Sequence, residues 1–497
     1  MPKPTPTDTA PTPSGVVFAS DEKGRRSTTA FGRGVVADAL RATDPVGSRA
    51  AESEAAWRTR YLAHLKRLVE AGLPKADDAR AIAAAGLSSV HERLHYAHDG
   101  GETPLGALFD EVPARGGLRT ETRHGTGEPE RELSLPFRGD RLRGDALRRR
   151  LDAWEREGVL EPGCTRAVHA VLDHPDWLDL SDQRVVVLGA GAEMGPLQSL
   201  LRWGGDVVAL DLPRRSLWEG LLERTRELAG TLHVPVPGEA SGDDLAEQAG
   251  LDLVHDLPAA LGWLGGMDRP LVLGNYVYAD GSANVQVCAA ADALSARLVA
   301  QQPDTQLAFL ATPTDVFAVP PEAVAQSVQA YAARPKRTAA LRGPLRLVSG
   351  GKLLARQYLP GADPGVHDAM VAQQGPNYSL AKRLQRWRAV VARQAGTGVS
   401  LNVAPPTRTR SVLKNRAFAA AYAGAHRFDI EVFEPATSNT LMAALLVHDL
   451  RDPVPAQEHP WQDEAAQAAH GGLWRAPYDT RSALGLAMLL GFGSART

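Results

Sequence analysis

The N-terminal third of the chain has the apolar spacing of helices. From residue 51 to about residue 109, apolar side chains recur at intervals of three and four residues, as at Trp57 and Tyr61. Residues 144–176 return to this spacing after a polar, extended stretch. Because these intervals match one face of an α-helix, we expect a mainly helical extension over residues 21–180.

After Arg184 the pattern changes to short apolar strands that alternate with helical segments. Such alternation predicts an α/β fold, a doubly wound parallel sheet covered by helices on both faces. We expect this sheet to occupy residues 181–450, with a C-terminal helical segment over residues 451–497. The predicted strands are Val185–Leu188, Val207–Leu210, Leu271–Gly274, Leu307–Ala311 and Val399–Val403.

The composition and charge of the chain limit the kinds of partner that it is expected to bind. Hydrophobic residues make up 44% of the chain, charged residues 23%, and the formal net charge is -3, so a nucleic-acid partner has no electrostatic support. Residues 1–20, rich in proline and threonine, predict a disordered tail rather than a secretory signal. The apolar run Ala483–Phe492 is about half the ~20 residues that a membrane helix needs. Two isolated cysteines, Cys164 and Cys288, fit a reducing cytoplasm.

These observations predict a cytoplasmic protein that takes a small-molecule substrate and binds neither nucleic acid nor membrane. Whether the chain forms a homo-oligomer stays open at this point, because no sequence feature bears on it.

A glycine-rich turn follows the first predicted strand. Gly189, Gly191 and Gly195 come after the apolar residues 184–188 and before a helical segment. Glycines let the backbone turn tightly and approach a pyrophosphate, whose charge is then held at a helix start. The next strand ends in Asp211, about 20 residues further on, where a carboxylate can accept hydrogen bonds from ribose hydroxyls. The turn suits NAD or NADP, but it suits S-adenosylmethionine equally well.

A second motif favours proton transfer. Tyr378 and Lys382 form a YxxxK pair on a predicted helix, which puts them one turn apart on the same face. An ammonium group beside a phenol lowers the pKa of the phenol, so that tyrosine can exchange a proton with an alcohol near neutral pH. A methyltransferase would leave both residues without a role.

With these motifs in this order, the chain resembles the short-chain dehydrogenase/reductase superfamily over roughly residues 184–450. The resemblance implies a Rossmann-like sheet and an NAD(P)-dependent oxidoreductase acting on an alcohol or carbonyl. In that family the YxxxK helix is followed by a strand and a proline-containing loop at the nicotinamide end of the cofactor. Pro405, Thr407 and Thr409 occupy the matching stretch here.

The resemblance also implies roles for residues at the ends of other strands. Asp256 would lie near the adenine after the third strand, and Asn275 would end the fourth. Thr312 or Thr314 would hold the substrate oxygen at the end of the fifth strand. The long interval before Tyr378 predicts an insertion over about residues 322–374.

The chain departs from the family pattern in the glycine loop, where Leu188 and Glu193 stand at the usual threonine and middle glycine. Ser349, inside the predicted insertion, is a rival for the hydroxyl role.

For the cofactor we favour NAD, because Asp211 would repel the 2′-phosphate of NADP, although Arg214 and Arg215 could attract it.

Two alternatives remain at this stage. One is an S-adenosylmethionine-dependent methyltransferase, which shares the glycine loop and the acid after the second strand. The other is a zinc hydrolase, because His91, Glu92 and His95 read HExxH, in which two imidazoles at i and i+4 of a helix hold zinc. Neither a third zinc ligand nor a metal site is expected from the rest of the sequence.

Overall fold

A computed structural model describes residues 14–99, 101–239, 244–333 and 343–492. Most of the predicted disordered tail, residues 1–13, lies outside these ranges. Its last part does not conform to the prediction, because Gly15–Phe18 forms a buried strand whose Val16 amide donates to the carbonyl of Val254 at 2.8 Å.

The strands of the described residues can be named in chain order. They are β1 (Gly15–Phe18), β2 (Leu94–His98), β3 (Gly101–Pro104), β4 (Leu118–His124), β5 (Leu135–Phe137), β6 (Asp140–Leu142), β7 (Arg184–Leu188), β8 (Asp206–Leu210), β9 (Thr231–Pro237), β10 (Leu271–Asn275), β11 (Gln306–Ala311), β12 (Val316–Val319), β13 (Gly365–Asp368) and β14 (Val399–Val403).

The α-helices for which both ends are described surround these strands. They are α1 (Thr28–Leu40), α2 (Pro45–Glu52), α3 (Trp57–Gly72), α4 (Ala76–Arg93), α5 (Leu108–Glu111), α6 (Gly144–Arg156), α7 (Pro162–Asp173), α8 (Leu197–Arg202), α9 (Arg215–Thr225), α10 (Leu245–Gln248), α11 (Leu257–Gly265), α12 (Ser282–Gln301), α13 (Pro321–Ala332), α14 (Pro376–Gln394), α15 (Arg410–Leu413), α16 (Arg416–Gly424), α17 (Pro435–Arg451), α18 (Pro460–Ala466) and α19 (Thr480–Gly491).

The centre of the protein is a seven-stranded sheet in the order β14-β11-β10-β7-β8-β9-β4. All of its strand pairs are parallel except β4 with β9. The parallel strands are arranged as in a doubly wound sheet, in which the order reverses between the first strand, β7, and the fourth, β10. The five predicted strands are confirmed, and the mixed α/β architecture is consistent with a Rossmann-like fold.

Burial on both faces explains why these strands are apolar without alternation. Val186 and Leu188 of β7 face one hydrophobic core, which they share with the N-terminal helices α1, α3 and α4. Val185 and Val187 face a second core with α6, α7 and α17. A sheet covered on both sides needs apolar residues at every position.

The N-terminal extension is joined to the sheet rather than separate from it. Its polar, extended stretch contains β4, which pairs antiparallel with β9 from Leu118–Pro237 to His124–Thr231. The three strands β1, β2 and β3 form a small antiparallel sheet of their own. Within the predicted insertion, β13 pairs antiparallel with β12.

The zinc-hydrolase alternative loses its basis here. Helix α4 ends at Arg93 and His95 lies on β2, so the two histidines are not one turn apart on a helix. His91 Nε2 lies 2.7 Å from Asp292 and His95 Nδ1 lies 3.3 Å from Glu102. No cluster of three metal-binding side chains occurs within the described ranges.

A search of the described helices finds none with the length and apolar character to cross a membrane.

Candidate active site

A cavity of about 710 Å³ opens at the carboxyl edge of the central sheet. It extends from the glycine loop after β7, past the loops that follow β10, β11 and β14, to the helices α14, α16 and α19. In doubly wound sheets this edge, near the reversal of strand order, is where ligands bind. Gly191, Thr312, Thr314, Tyr378, Lys382, Pro405, Thr407 and Thr409, all predicted from the sequence, line this cavity.

The glycine loop makes a tight turn between β7 and α8. Gly189 has a φ of 84°, and a Cβ there would come within 2.9 Å of the Tyr276 carbonyl oxygen, so the position requires glycine. The Gly195 amide donates to the carbonyl of Ala192 at 3.0 Å. Gly189 and Gly195 therefore shape the turn, whereas Gly191 faces the cavity. The helix that follows, α8, has only 6 residues.

Asp211 closes the glycine loop from the end of β8. Its Oδ2 accepts the Gly191 amide at 2.8 Å, and its Oδ1 accepts the Leu212 amide at 2.8 Å. Burial raises the pKa of this carboxyl above its usual value, against the opposing effect of the two amides. The carboxylate thus holds the glycine loop in place, and its contact with a ribose stays a prediction.

Asp256 does not follow a strand as expected. The third strand is β9, which ends at Pro237, and Asp256 comes after a turn and directly precedes α11. A few residues before Asp256 the chain passes the edge of the sheet, where the Leu251 amide donates to the Asp211 carbonyl at 2.8 Å. Asp256 is therefore separated from the third strand by α10 and a turn, and its adenine role stays a prediction.

Two loops and one helix bring the candidate proton-transfer groups together. Tyr378 and Lys382 lie in the first two turns of α14, and Thr312 and Thr314 follow β11. The hydroxyl of Thr312 lies near enough to Tyr378 to act against the raised pKa of its phenol, and it lies 3.0 Å from the hydroxyl of Thr314. Gln374, which the sequence did not single out, donates to the Thr314 hydroxyl at 2.8 Å.

Lys382 is connected to β10 by a second unpredicted residue. Its Nζ donates to Gln385 Oε1 at 3.2 Å, and Gln385 Nε2 donates to Asn275 Oδ1 at 3.1 Å. Asn275 is buried at the end of β10, as the resemblance implied. Gln385 lies three residues after Lys382, at helical spacing, and this spacing is the signal that could have identified it.

The predicted effect of Lys382 on Tyr378 is not observed. Burial raises the pKa of the Tyr378 phenol, although the hydrogen bond from Thr312 works in the opposite direction. Burial also lowers the pKa of the Lys382 ammonium group. Both shifts favour the neutral form, because the pocket removes water from both groups. In this structure Tyr378 is therefore a protonated phenol at neutral pH.

The loop after β14 forms another part of the cavity wall. The Thr407 hydroxyl donates to the Pro405 carbonyl at 2.8 Å and lies 2.6 Å from the Ser438 hydroxyl. The Thr409 hydroxyl lies 3.0 Å from that of Ser411. Thr407 is thus held inside the loop, and Thr409 is the more accessible of the two.

Glu193 joins the glycine loop to the start of α15. Its carboxylate accepts the Arg410 amide at 2.8 Å and lies 3.2 Å from Arg410 Nε. Both residues line the cavity. The position where the family pattern has a glycine therefore carries a negative charge beside the loop.

Ser349 is not brought to this site. Its hydroxyl donates to the Arg346 carbonyl at 3.2 Å and accepts the Leu353 amide at 3.1 Å, within a local turn outside the cavity lining. It is therefore not a rival of Thr312 and Thr314 in this structure.

Comparisons with known proteins add little to this geometry. No protein-family model and no curated protein matches the sequence. One solved structure, a thiolation-reductase di-domain from an archaeal non-ribosomal peptide synthetase, superposes with a TM-score of 0.27 and 10% sequence identity. The match covers 52% of this chain and 52% of that chain, so the chain spans about half of the di-domain. The comparisons thus find a distant and partial likeness to a protein that contains a reductase.

Proposed function

We propose that this protein is an NAD(P)-dependent oxidoreductase of the short-chain dehydrogenase/reductase type, acting on an alcohol or carbonyl group of a small molecule. The observation that carries the proposal is the meeting of Thr312, Tyr378 and Lys382 in one cavity at the carboxyl edge of the sheet. A hydroxyl, a phenol and an ammonium group are suited to proton exchange with an alcohol oxygen. A methyl-transfer reaction gives these side chains no role.

The cofactor would lie along the glycine loop, with its adenosine end at Asp211 and its nicotinamide end at Pro405, Thr407 and Thr409. The tight turn at Gly189 and the close contact of Gly191 with Asp211 support this placement, since both keep side chains out of the loop. When bound, the nicotinamide would supply or accept the hydride.

The protein's own residues would handle the proton. In reduction, Tyr378 gives its phenolic proton to the substrate oxygen while Thr312 donates a hydrogen bond to that oxygen. In oxidation, the phenolate takes the alcohol proton. The ammonium group of Lys382, held through Gln385, would stabilise the phenolate that reduction leaves behind.

The surroundings of Asp211 favour NAD over NADP. Arg215 could neutralise a 2′-phosphate only by leaving its present partners. Its guanidinium lies 2.8 Å from Glu219, 2.7 Å from Asp244 and 2.8 Å from Glu247. Arg214, whose charge acts to lower the pKa of the Asp211 carboxyl, remains to attract the additional phosphate, and we expect the repulsion from Asp211 to outweigh it.

One observation favours a methyltransferase as the second candidate. The carboxylate of Glu193 lies beside the glycine loop, where it would repel a pyrophosphate. S-adenosylmethionine has no phosphate and carries a positive sulfonium, which a carboxylate would attract. The charge of Glu193 should therefore weaken the binding of a dinucleotide and strengthen the binding of S-adenosylmethionine.

Calorimetric titration of the wild type and of Glu193→Gln with NADH, NADPH and S-adenosylmethionine tests the proposal. We expect NADH to bind, and to bind about fivefold more tightly to Glu193→Gln, because two unit charges about 4 Å apart in water interact by ~1 kcal/mol. Glu157→Gln, at the C-terminal cap of α6 and outside the cavity lining, removes the same charge and should change nothing. Binding of S-adenosylmethionine alone, weakened by Glu193→Gln, would establish the second candidate.

A further inference from the structure

The part of the cavity lined by α16 and α19 has a wall that is mainly apolar. We call this surface the apolar wall. From residue 411 onward, Lys414 supplies the one charged side chain among the described residues that line the cavity. Carboxylates, arginines and histidines are missing from this stretch of the lining. The apolar wall is formed mainly by Phe418, Ala421, Tyr422, Phe428, Leu484 and Ala487.

Two helices hold the apolar wall rigid. A Cβ on Gly424 of α16 would lie 2.0 Å from the carbonyl oxygen of Ala487, and a Cβ on Gly491 of α19 would lie 1.9 Å from that of Ala420. The two backbones therefore cross in direct contact, at positions that accept only glycine. Phe428 and Ala487 pack in one small core with Tyr331 and Tyr478 behind the wall. The apolar surface is thus preformed and does not depend on a ligand for its shape.

The apolar wall reaches the proton-transfer groups. Tyr422 on α16 lines the same cavity as Tyr378. Burial raises the pKa of Tyr422, and Tyr378 contributes to the same shift. On its other side Tyr378 meets the ring of Tyr278 edge to face, with 6.3 Å between centroids. A molecule with its oxygen at Tyr378 and Thr312 would therefore have its remaining atoms directed along apolar side chains.

We propose that the substrate is an alcohol, or the matching ketone or aldehyde, whose uncharged hydrocarbon body lies against the apolar wall while its oxygen meets Tyr378 and Thr312. This proposal rests on the proposed function. In reduction a hydride from NADH forms the new C–H bond at the carbonyl carbon, Tyr378 protonates the oxygen, and NAD leaves oxidised. Ligand pockets commonly measure about 300–1,000 Å³, so about 710 Å³ holds a nicotinamide end and such a substrate together.

A charged or sugar-like substrate does not suit this wall. A polar group placed against Phe418, Ala421, Phe428, Leu484 and Ala487 would lose water without gaining a hydrogen-bond partner from them, which is unfavourable. Each methylene of a hydrocarbon chain, by contrast, gains by leaving water. The apolar wall therefore favours substrates by the length of their hydrocarbon chain rather than by the arrangement of their polar groups.

Straight-chain methyl ketones from butanone to decanone test the proposal. We expect kcat/KM with NADH to rise about fourfold per added methylene until the wall is filled, which corresponds to about 0.8 kcal/mol per methylene. Ala421→Leu, which fills part of the wall, should lower kcat/KM for decanone and leave butanone unchanged. Ala423→Leu makes the same substitution on α16 outside the lining and should match the wild type.

Titration with decanol in the absence of dinucleotide separates this proposal from the proposed function. We expect decanol to bind, and both Ala421→Leu and Phe418→Ala to weaken its binding, the first by filling space and the second by removing contact area. If decanol binds in this way but dinucleotide does not, the apolar site stands and the oxidoreductase proposal fails. If dinucleotide binds while ketone length and Ala421→Leu have no effect, the oxidoreductase proposal stands and the hydrocarbon substrate is overturned.

Discussion

Tyr378 and Lys382 share a pocket in which burial shifts both pKa values toward the neutral form. The phenol is therefore the ready proton donor, which favours reduction over oxidation. Thr312 acts against this shift, because its hydroxyl stabilises the phenolate. Thr312 thus limits how far the pKa of the Tyr378 phenol is raised.

These directions predict the pH dependence of the reaction. Reduction needs the phenol, whose pKa is raised, so kcat/KM for reduction should stay level through neutral pH and fall only in alkaline solution. Oxidation needs the phenolate, so its kcat/KM should rise with pH over the same range. Both profiles report the free enzyme when kcat/KM is plotted against pH.

The pH profiles of Thr312→Val test the same assignment of Tyr378 as the proton donor. Removing its hydrogen bond should move the alkaline limb of both profiles to higher pH, while Thr480→Val, at the start of α19 in the lining of the same cavity, should not move it. A reduction rate that already falls between acidic and neutral pH would show that Tyr378 is not the donor.

The residues that carry chemistry were the easier part to predict. Tyr378 and Lys382 are four apart on one helix, and Thr312 follows a strand that the apolar pattern identifies. The contacts of Gln374 with Thr314 and of Glu193 with Arg410 could not be found in this way, because these partners are distant in sequence and meet only through loop conformations.

At the scale of elements, a buried ionic cluster fixes α14 against the loop after β11. Asp315, next to Thr314, lies 2.7 Å from Arg383 and 2.8 Å from Arg386. Arg386 also lies 2.6 Å from Glu464 of α18. Burial alone would raise the pKa of Asp315, but the two guanidinium groups hold it below its usual value. The cluster therefore keeps the helix of Tyr378 in register with the hydroxyl loop.

Removing the shared cation should destabilise the protein strongly. Arg386→Met leaves Glu464 buried without its ion pair and leaves Asp315 with Arg383 alone, so we expect a loss of about 3–5 kcal/mol in the free energy of unfolding, measured by urea denaturation. Lys66→Met removes one cation from the exposed pair with Glu70 on α3 and should cost less than about 1 kcal/mol. Equal effects of the two substitutions would mean that the cluster does not stabilise the fold.

Two elements escaped prediction for physical reasons. Strand β9 carries Pro235 and Pro237, which remove backbone donors and argue against a strand inside a sheet. The change from α4 to β2 at Leu94 depends on pairing with β1 and β3, which are contacts between distant parts of the sequence. Local spacing therefore suggested a longer helix and a false HExxH site.

At the scale of the whole molecule, the parallel sheet was predictable because its strands are buried on both faces and appear as short apolar runs. The position of the N-terminal extension relative to the sheet was not predictable from the sequence. Its polar strand β4 completes the sheet edge, and its helices share a core with β7 and β10. The extension is thus part of the structure that supports the cavity.

The account as a whole depends on hydride transfer that uses Tyr378. The most direct measurement is the fall in NADH absorbance with decanone, compared among the wild type, Tyr378→Phe and Tyr278→Phe. Tyr278 lines the same cavity, but its hydroxyl donates to Asp280 at 2.9 Å, so it is a matched control. We predict that Tyr378→Phe loses roughly 100-fold or more in turnover with unchanged NADH affinity, while Tyr278→Phe stays within a few-fold of the wild type. Full turnover by Tyr378→Phe would contradict the account.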